Sequence, residues 1–289
     1  MTARFALLLM VLWPLAACKN ETPAPVGEAP TAGANVDAVT QASAEDPQAK
    51  AIGEANVKAA ADEAAKSPPP VLGTDYVEIA SGQPFDTTDG RIELAEIFGY
   101  VCPACAAVQP TVQAMKAKFP GDVHVVYVPA AFGSIWDTYA KAYFTADAMG
   151  LVQKTHEAMF RAIHIDKTLK GERGVDTPEQ IAAFYQAYGA DPKQFVSSMA
   201  SFAIAAKVNR ARQWAMTSFG DSPGGTPTFV VNGKYRITGK TWDDAFRVIN
   251  QLIVAERAKA AAAAPPAAPV APAGDAPSSE APALAPTAS

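Results

Sequence analysis

Apolar and polar positions divide the chain into a patterned middle and two unpatterned flanks. From Asn20 to Pro70 it is rich in Ala, Pro, Glu, Asp and small polar residues, almost without aromatics or large aliphatics. Such a segment buries too little surface to offset its ordering entropy, so residues 18–70 are expected to form a disordered tether. Ala51 to Lys66 holds enough alanine for transient helix but lacks a wide apolar stripe. From Ala260 to Ser289 alanine and proline repeat, which predicts a flexible or polyproline-like tail over 260–289. Folded structure is therefore expected over 71–259.

Within that span, Tyr76 to Ile79 reads as a short strand and Ile92 to Phe98 as a longer one. Pro103 to Phe119 reads as a helix, with Pro103 tolerated in its first turn and Pro110 expected to kink it. Val123 to Val128 is a nearly continuous β-branched run, expected to be a central strand buried on both faces. The period then changes: over 136–219 alanine, methionine and aromatic residues recur at helical spacing, with start signals at Thr177-Pro178-Glu179 and Asp191-Pro192. Phe144, Met149, Met159, Phe160, Phe184, Tyr185 and Trp214 belong to the core of this helical block. Thr228 to Val231 and Tyr235 to Thr238 are strands joined by Asn232-Gly233, a strong hairpin signal. Thr241-Trp242-Asp243-Asp244 opens a last helix to about Lys259. The order is β-β-α-β, a helical block, then β-β-α.

Composition narrows the function classes. A net charge of −5, with basic residues scattered along the chain, gives no footprint for nucleic acid. Gly224-Gly225 is too short for a phosphate cradle, and no nucleophilic serine motif is present. There are three cysteines, Cys18, Cys102 and Cys105. Cys18 follows one basic residue, Arg4, and an apolar stretch from Phe5 to Leu15, which has the shape of a secretory signal and is too short to span a membrane.

Cys102-Pro103-Ala104-Cys105 sits between a strand-like run and a helix-like one. Two cysteines at that spacing can close a small ring on a helix N-terminus, where unpaired N–H groups and the helix dipole favour a thiolate. Cys102 is thus both a ready nucleophile and a good leaving group. Glu96 alternates with Ile92, Leu94 and Phe98 on one face of its strand. A carboxylate buried there is desolvated, which raises its pKa and suits it to exchange a proton with the adjacent sulfurs.

With Pro110 five positions after Cys105 and Gly225-Thr226-Pro227-Thr228 opening the Asn232-Gly233 hairpin, the chain resembles the DsbA-type thiol:disulfide oxidoreductases over roughly Val71 to Lys259. The resemblance implies an α/β thioredoxin fold with an inserted helical domain. It also implies a cis Thr226-Pro227 peptide facing the cysteines, with the Thr226 backbone free to pair with an extended substrate. Glu96, six residues before Cys102, matches a buried acid of the family. Leu15-Ala16-Ala17-Cys18 resembles a bacterial lipoprotein box, implying removal of a signal peptide over 1–17, acylation of Cys18 and a membrane lipid anchor in the periplasm. Lys19 leans that anchor towards the outer membrane.

Two departures from the family pattern stand out. Ala104 occupies a position where many members carry histidine, and Tyr127 one where some carry lysine. Both remove positive charge and predict a less oxidising site. Reference cysteine pKa values run from about 3.5 in DsbA-type sites to about 7 in thioredoxin, and Cys102 is expected between them.

The implied reaction is oxidation of reduced exported client proteins, with reoxidation by a DsbB-like, quinone-linked membrane oxidase and no cofactor. An envelope reductase or isomerase using the same dithiol is the alternative, followed by a structural lipoprotein. A metal site is a further rival. His124, His156 and His164 are scattered, however, and His156 and His164 read as helix-surface residues, so no metal is expected.

Overall fold

The computed structural model describes residues 47–86 and 90–263. The expected signal peptide, Cys18 and the tail from 264 onward lie outside the described residues. Among the described residues five strands form one mixed sheet: β1 (Tyr76–Glu78), β2 (Ile92–Phe98), β3 (Val123–Pro129), β4 (Thr228–Val231) and β5 (Tyr235–Ile237), in the order β1-β5-β4-β2-β3. β2 runs parallel to β3 and antiparallel to β4, and β5 is antiparallel to both β4 and β1. All seven residues of β2 are buried, because it has a neighbour on each edge and helices over its faces.

β3 does not take the central place expected of it. It pairs only with β2 and forms the sheet edge. Its valines are nonetheless buried, because the inserted helices pack over the strand. A β-branched run reports covered faces and is silent about lateral neighbours.

The insertion comprises α3 (Ser134–Ala148), α4 (Val152–His164), α5 (Pro178–Gln186), α6 (Pro192–Met199) and α7 (Phe202–Phe219). The expected start signals operate as caps. Thr177 and Gln180 form a reciprocal capping box, with Pro178 in the first turn, and Asp191 accepts from the Gln194 N–H at 2.8 Å. Outside the insertion, α2 (Pro103–Lys116) follows β2, and α8 (Trp242–Ala263) packs on β2, β4 and β5. α2 stops three residues short of the expected Phe119, and Pro110 lies inside it. In the β4–β5 turn Asn232 and Gly233 both have positive φ, 52° and 66°. Gly233 is required twice over, since a Cβ there would strike the backbone of Gln83.

The tether reading fails over its last third. α1 (Pro47–Ala65) is a 19-residue helix packed against α8. Its attachment is polar. Asn250 Nδ2 donates to the Ala60 carbonyl at 3.1 Å, and Gln251 Nε2 faces the carbonyls of Ala64, Ser67 and Pro68 at 3.2, 3.2 and 2.8 Å. Ala64 is among the last carbonyls that a helix leaves without an internal partner, and Ser67 and Pro68 lie just beyond the helix end. Hydrophobic periodicity cannot register such a contact, because the anchor is α1's backbone and the donors lie nearly two hundred residues downstream.

Replacing Gln251 with alanine is therefore expected to loosen α1 selectively. Its amides should exchange hydrogen faster by at least tenfold while global stability falls by only about 1 kcal/mol, as read by hydrogen exchange and denaturant unfolding.

Candidate active site

The end of β2 delivers the chain to the site through Gly99, where a Cβ would run into the Trp136 ring, so that close approach requires glycine. The Cys102 N–H then bonds to the Gly99 carbonyl at 3.0 Å, and Cys102 becomes the N-cap of α2 in an extended conformation (φ −77°, ψ 117°). Pro103 follows in the first turn, where its missing N–H costs nothing. As the cap, the Cys102 sulfur accepts the Cys105 N–H at 3.3 Å. Pro103 and Ala104 face solvent, and both cysteines are free thiols.

The second wall comes from 124 residues downstream. β4 pairs antiparallel to β2 with Thr228 opposite Ile97, so the loop before β4 lies at the end of β2 from which the cysteines emerge. Thr226-Pro227 is a cis peptide, and the Cys102 thiol lies 3.4 Å from the Thr226 carbonyl. This covering leaves Cys102 only 6% exposed, less open than an attacking position suggests, and Cys105 is fully buried at 0%.

The two sulfurs are electrostatically unequal. A hydrogen bond from Cys105 lowers the Cys102 pKa against the penalty of burial; with help from Thr226 and the helix N–H groups it falls to about 6. That value lies in the range expected from sequence. Burial and the neighbouring Cys102 sulfur push the Cys105 thiol far up.

Glu96 is fully buried at 0%, with Tyr127 of β3 and Phe229 of β4 as its register neighbours. Burial raises its pKa to about 8, moderated by Gln109, whose Nε2 lies 3.1 Å from both carboxylate oxygens. Cys102 acts in the same direction as burial, and Glu96 in turn disfavours a Cys105 thiolate. Cys102, Cys105, Glu96, Thr226 and Pro227 are thus brought to one end of the sheet, while Cys18 lies outside the described residues.

Gln109 escaped the sequence reading. Its signal was spacing: Cys105, Gln109 and Gln113 recur every four residues and share one face of α2. Glu93 also went unremarked. It is buried on the opposite face of β2, accepts the Phe85 and Asp86 N–H groups at 2.7 and 2.6 Å, and pins that loop.

The surface reading of His156 is overturned. It is 4% exposed, stacks on the Tyr127 ring with centroids 3.9 Å apart, and places Nδ1 3.1 Å from the Tyr100 hydroxyl. Burial drives its pKa down to about 3, so the ring is neutral. His164 is partly buried, with Nε2 2.8 Å from the Tyr100 carbonyl. The helical period placed both residues on α4 but could not show that this face of α4 turns towards Phe98 and Tyr100.

Residues 93–250 match the model of the DSBA-like thioredoxin domain. The thiol:disulfide interchange protein DsbA of Pseudomonas aeruginosa is 38% identical over 191 residues, covering 65% of this chain and 86% of that protein. The Pseudomonas syringae protein of the same name is 35% identical over 198 residues, covering 66% of this chain and 86% of its own. Among solved structures, the oxidoreductase DsbA from Xylella fastidiosa superposes with a TM-score of 0.62 at 40% identity, over 66% of this chain and all of that one (100%). The matched region holds both cysteines, the buried acid and the proline loop, and the chain belongs to the DSBA-like thioredoxin-domain family.

Proposed function

We propose that this protein is a thiol:disulfide oxidoreductase that donates its Cys102–Cys105 disulfide to reduced exported proteins. The inequality of the two sulfurs carries this reading. A client thiolate attacks the Cys102 sulfur, the Cys102–Cys105 bond breaks, and its electron pair leaves on Cys105. A buried thiolate is costly there, so Cys105 takes a proton, for which Glu96 is the nearby donor with a raised pKa. A second client thiolate then attacks the client sulfur of the mixed disulfide, and Cys102 departs as the thiolate that its surroundings favour. The client loses two electrons and the protein gains them. The Thr226 backbone beside the sulfur is the edge against which an extended client segment pairs.

Return to the disulfide form requires an electron acceptor, and a DsbB-like quinone-linked membrane oxidase suits that role. The Leu15-Ala16-Ala17-Cys18 box supports a periplasmic lipoprotein, anchored through Cys18 to the outer membrane in preference to the inner. Among the described residues no helix is long and apolar enough to cross a membrane.

Equilibration of the soluble part with a glutathione buffer tests the direction of exchange. The expected potential lies above about −200 mV, between the thioredoxin value of about −270 mV and the DsbA value of about −120 mV. A potential below about −250 mV would reverse the reading in favour of a reductase.

The Cys102 pKa, lowered in the folded state, stabilises the reduced protein most above the unfolded thiol value of about 8.5. That stabilisation is lost as pH falls through about 6. Thiolate absorbance should show the same midpoint, and Cys102→Ser should lack both the absorbance step and the pH-dependent stability. For the anchor, Cys18→Ser is expected to move the protein from the membrane fraction to the soluble one, and an unchanged distribution would refute lipidation at that cysteine.

A further inference from the structure

Glu96 is met on α2 by a neutral amide. Gln109, 3% exposed, stands one helical turn beyond Cys105 and directs Nε2 at both carboxylate oxygens, 3.1 Å from each. A carboxamide can present either end to a carboxyl group, its N–H to a carboxylate or its oxygen to a protonated acid. Here the far side of the amide is met by a second one. Gln113 Nε2, a donor only, lies 3.5 Å from Gln109 Oε1 and 2.9 Å from the Tyr127 hydroxyl. With Gln109 Oε1 turned towards the Gln113 donor, its N–H groups face Glu96. Tyr127 is held in turn: it pairs in register with Glu96 across β2 and β3, and its ring is stacked on His156 at 3.9 Å.

We propose that Gln109 is a positioning residue for disulfide exchange: oriented by Gln113 and Tyr127, it stabilises the carboxylate that Glu96 becomes when it gives its proton to the departing Cys105 sulfur. The inference rests on the proton-exchange role of Glu96 given above. In the donating direction the disulfide electron pair passes to Cys105, the proton moves from Glu96 to that sulfur, and the new carboxylate accepts the waiting Gln109 N–H. In the return direction the carboxylate takes the Cys105 proton, and the resulting thiolate attacks the Cys102 sulfur of a mixed disulfide, closing the Cys102–Cys105 bond and expelling the partner sulfur as its thiolate. An apolar side chain at position 109 would leave the buried carboxylate without this donor, a state that burial penalises heavily.

The groups that face Glu96 are few. α2 contributes Cys102, Cys105 and Gln109, and β4 contributes the apolar Phe229. Tyr127 of β3 and Tyr143 of α3 feel its charge. Lys116 reaches the network from outside, with Nζ 5.6 Å from the Tyr127 ring centroid, and His156 beyond that ring is neutral. Ionisation of Glu96 therefore depends heavily on the amide.

The test is the pH dependence of glutathione release from a Cys102–glutathione mixed disulfide, a single turnover in which Cys105 is the attacking sulfur. Wild-type protein, E96Q, Q109L and Q113L are compared from pH 5 to 10. In Q109L the Glu96-dependent midpoint should rise by about one pH unit, which slows release at pH 7 about tenfold; Q113L should shift in the same direction by less. A Q109L profile that superimposes on wild type, while E96Q removes the inflection, would overturn the role of Gln109 and leave that of Glu96 standing. An E96Q profile identical to wild type would instead sink the proton-exchange reading itself. Should Q109L fail to fold, the partly buried Q113L position decides, and an unmoved midpoint there overturns the proposal.

Discussion

The site depends on one constraint: two buried sulfurs three residues apart have unequal hydrogen-bonding surroundings. Cys102 caps α2, where unpaired N–H groups stabilise negative charge on its sulfur. Cys105, one turn inward, is sealed from solvent, and charge on it is penalised. Because α2 begins where the buried strand β2 ends, β2 fixes where the two sulfurs lie. The fold supplies the asymmetry, and exchange chemistry makes use of it.

The elements around the cysteines hold that inequality in place. α8 and the inserted helices cover β2 and its neighbours, so Glu96 beneath the cysteines is desolvated. The loop before β4 approaches from above because β4 pairs antiparallel to β2. The cluster of Phe98, Tyr100, Tyr127, Tyr143 and His156 packs largely edge to face behind the site, and the neutral His156 ring fills space there without adding charge. With Ala104 exposed beside the cysteines and Tyr127 beside Glu96, pKa control at this site falls to the hydrogen bond from Cys105 to Cys102, to burial and to the Gln109 amide, with a smaller part for the helix N–H groups.

Much of this was legible residue by residue. Cys-Pro-Ala-Cys after a strand placed Cys102 at a helix start, and strand alternation placed Glu96 on a covered face. Thr177 and Asp191 marked helix starts because capping is a contact between near neighbours in the chain. The failures share the opposite character. The edge position of β3, the docking of α1 through Asn250 and Gln251, and the burial of His156 depend on groups brought together from distant segments. A helical or strand period shows which residues share a face, but not what that face meets.

By itself, the sequence determined the element order, the paired cysteines and the Asn232-Gly233 hairpin, because each is written in local spacing and backbone preference; the thioredoxin fold and the proline loop came from the family resemblance that those motifs carry. The tertiary structure alone decided that Thr226 stands over Cys102, that Gln109 turns its N–H groups to Glu96, and that α1 is held by α8. Those outcomes depend on strand register and on amide orientation within a closed hydrogen-bond network. Both are properties of the assembled sheet and helices, and no single stretch of chain encodes them.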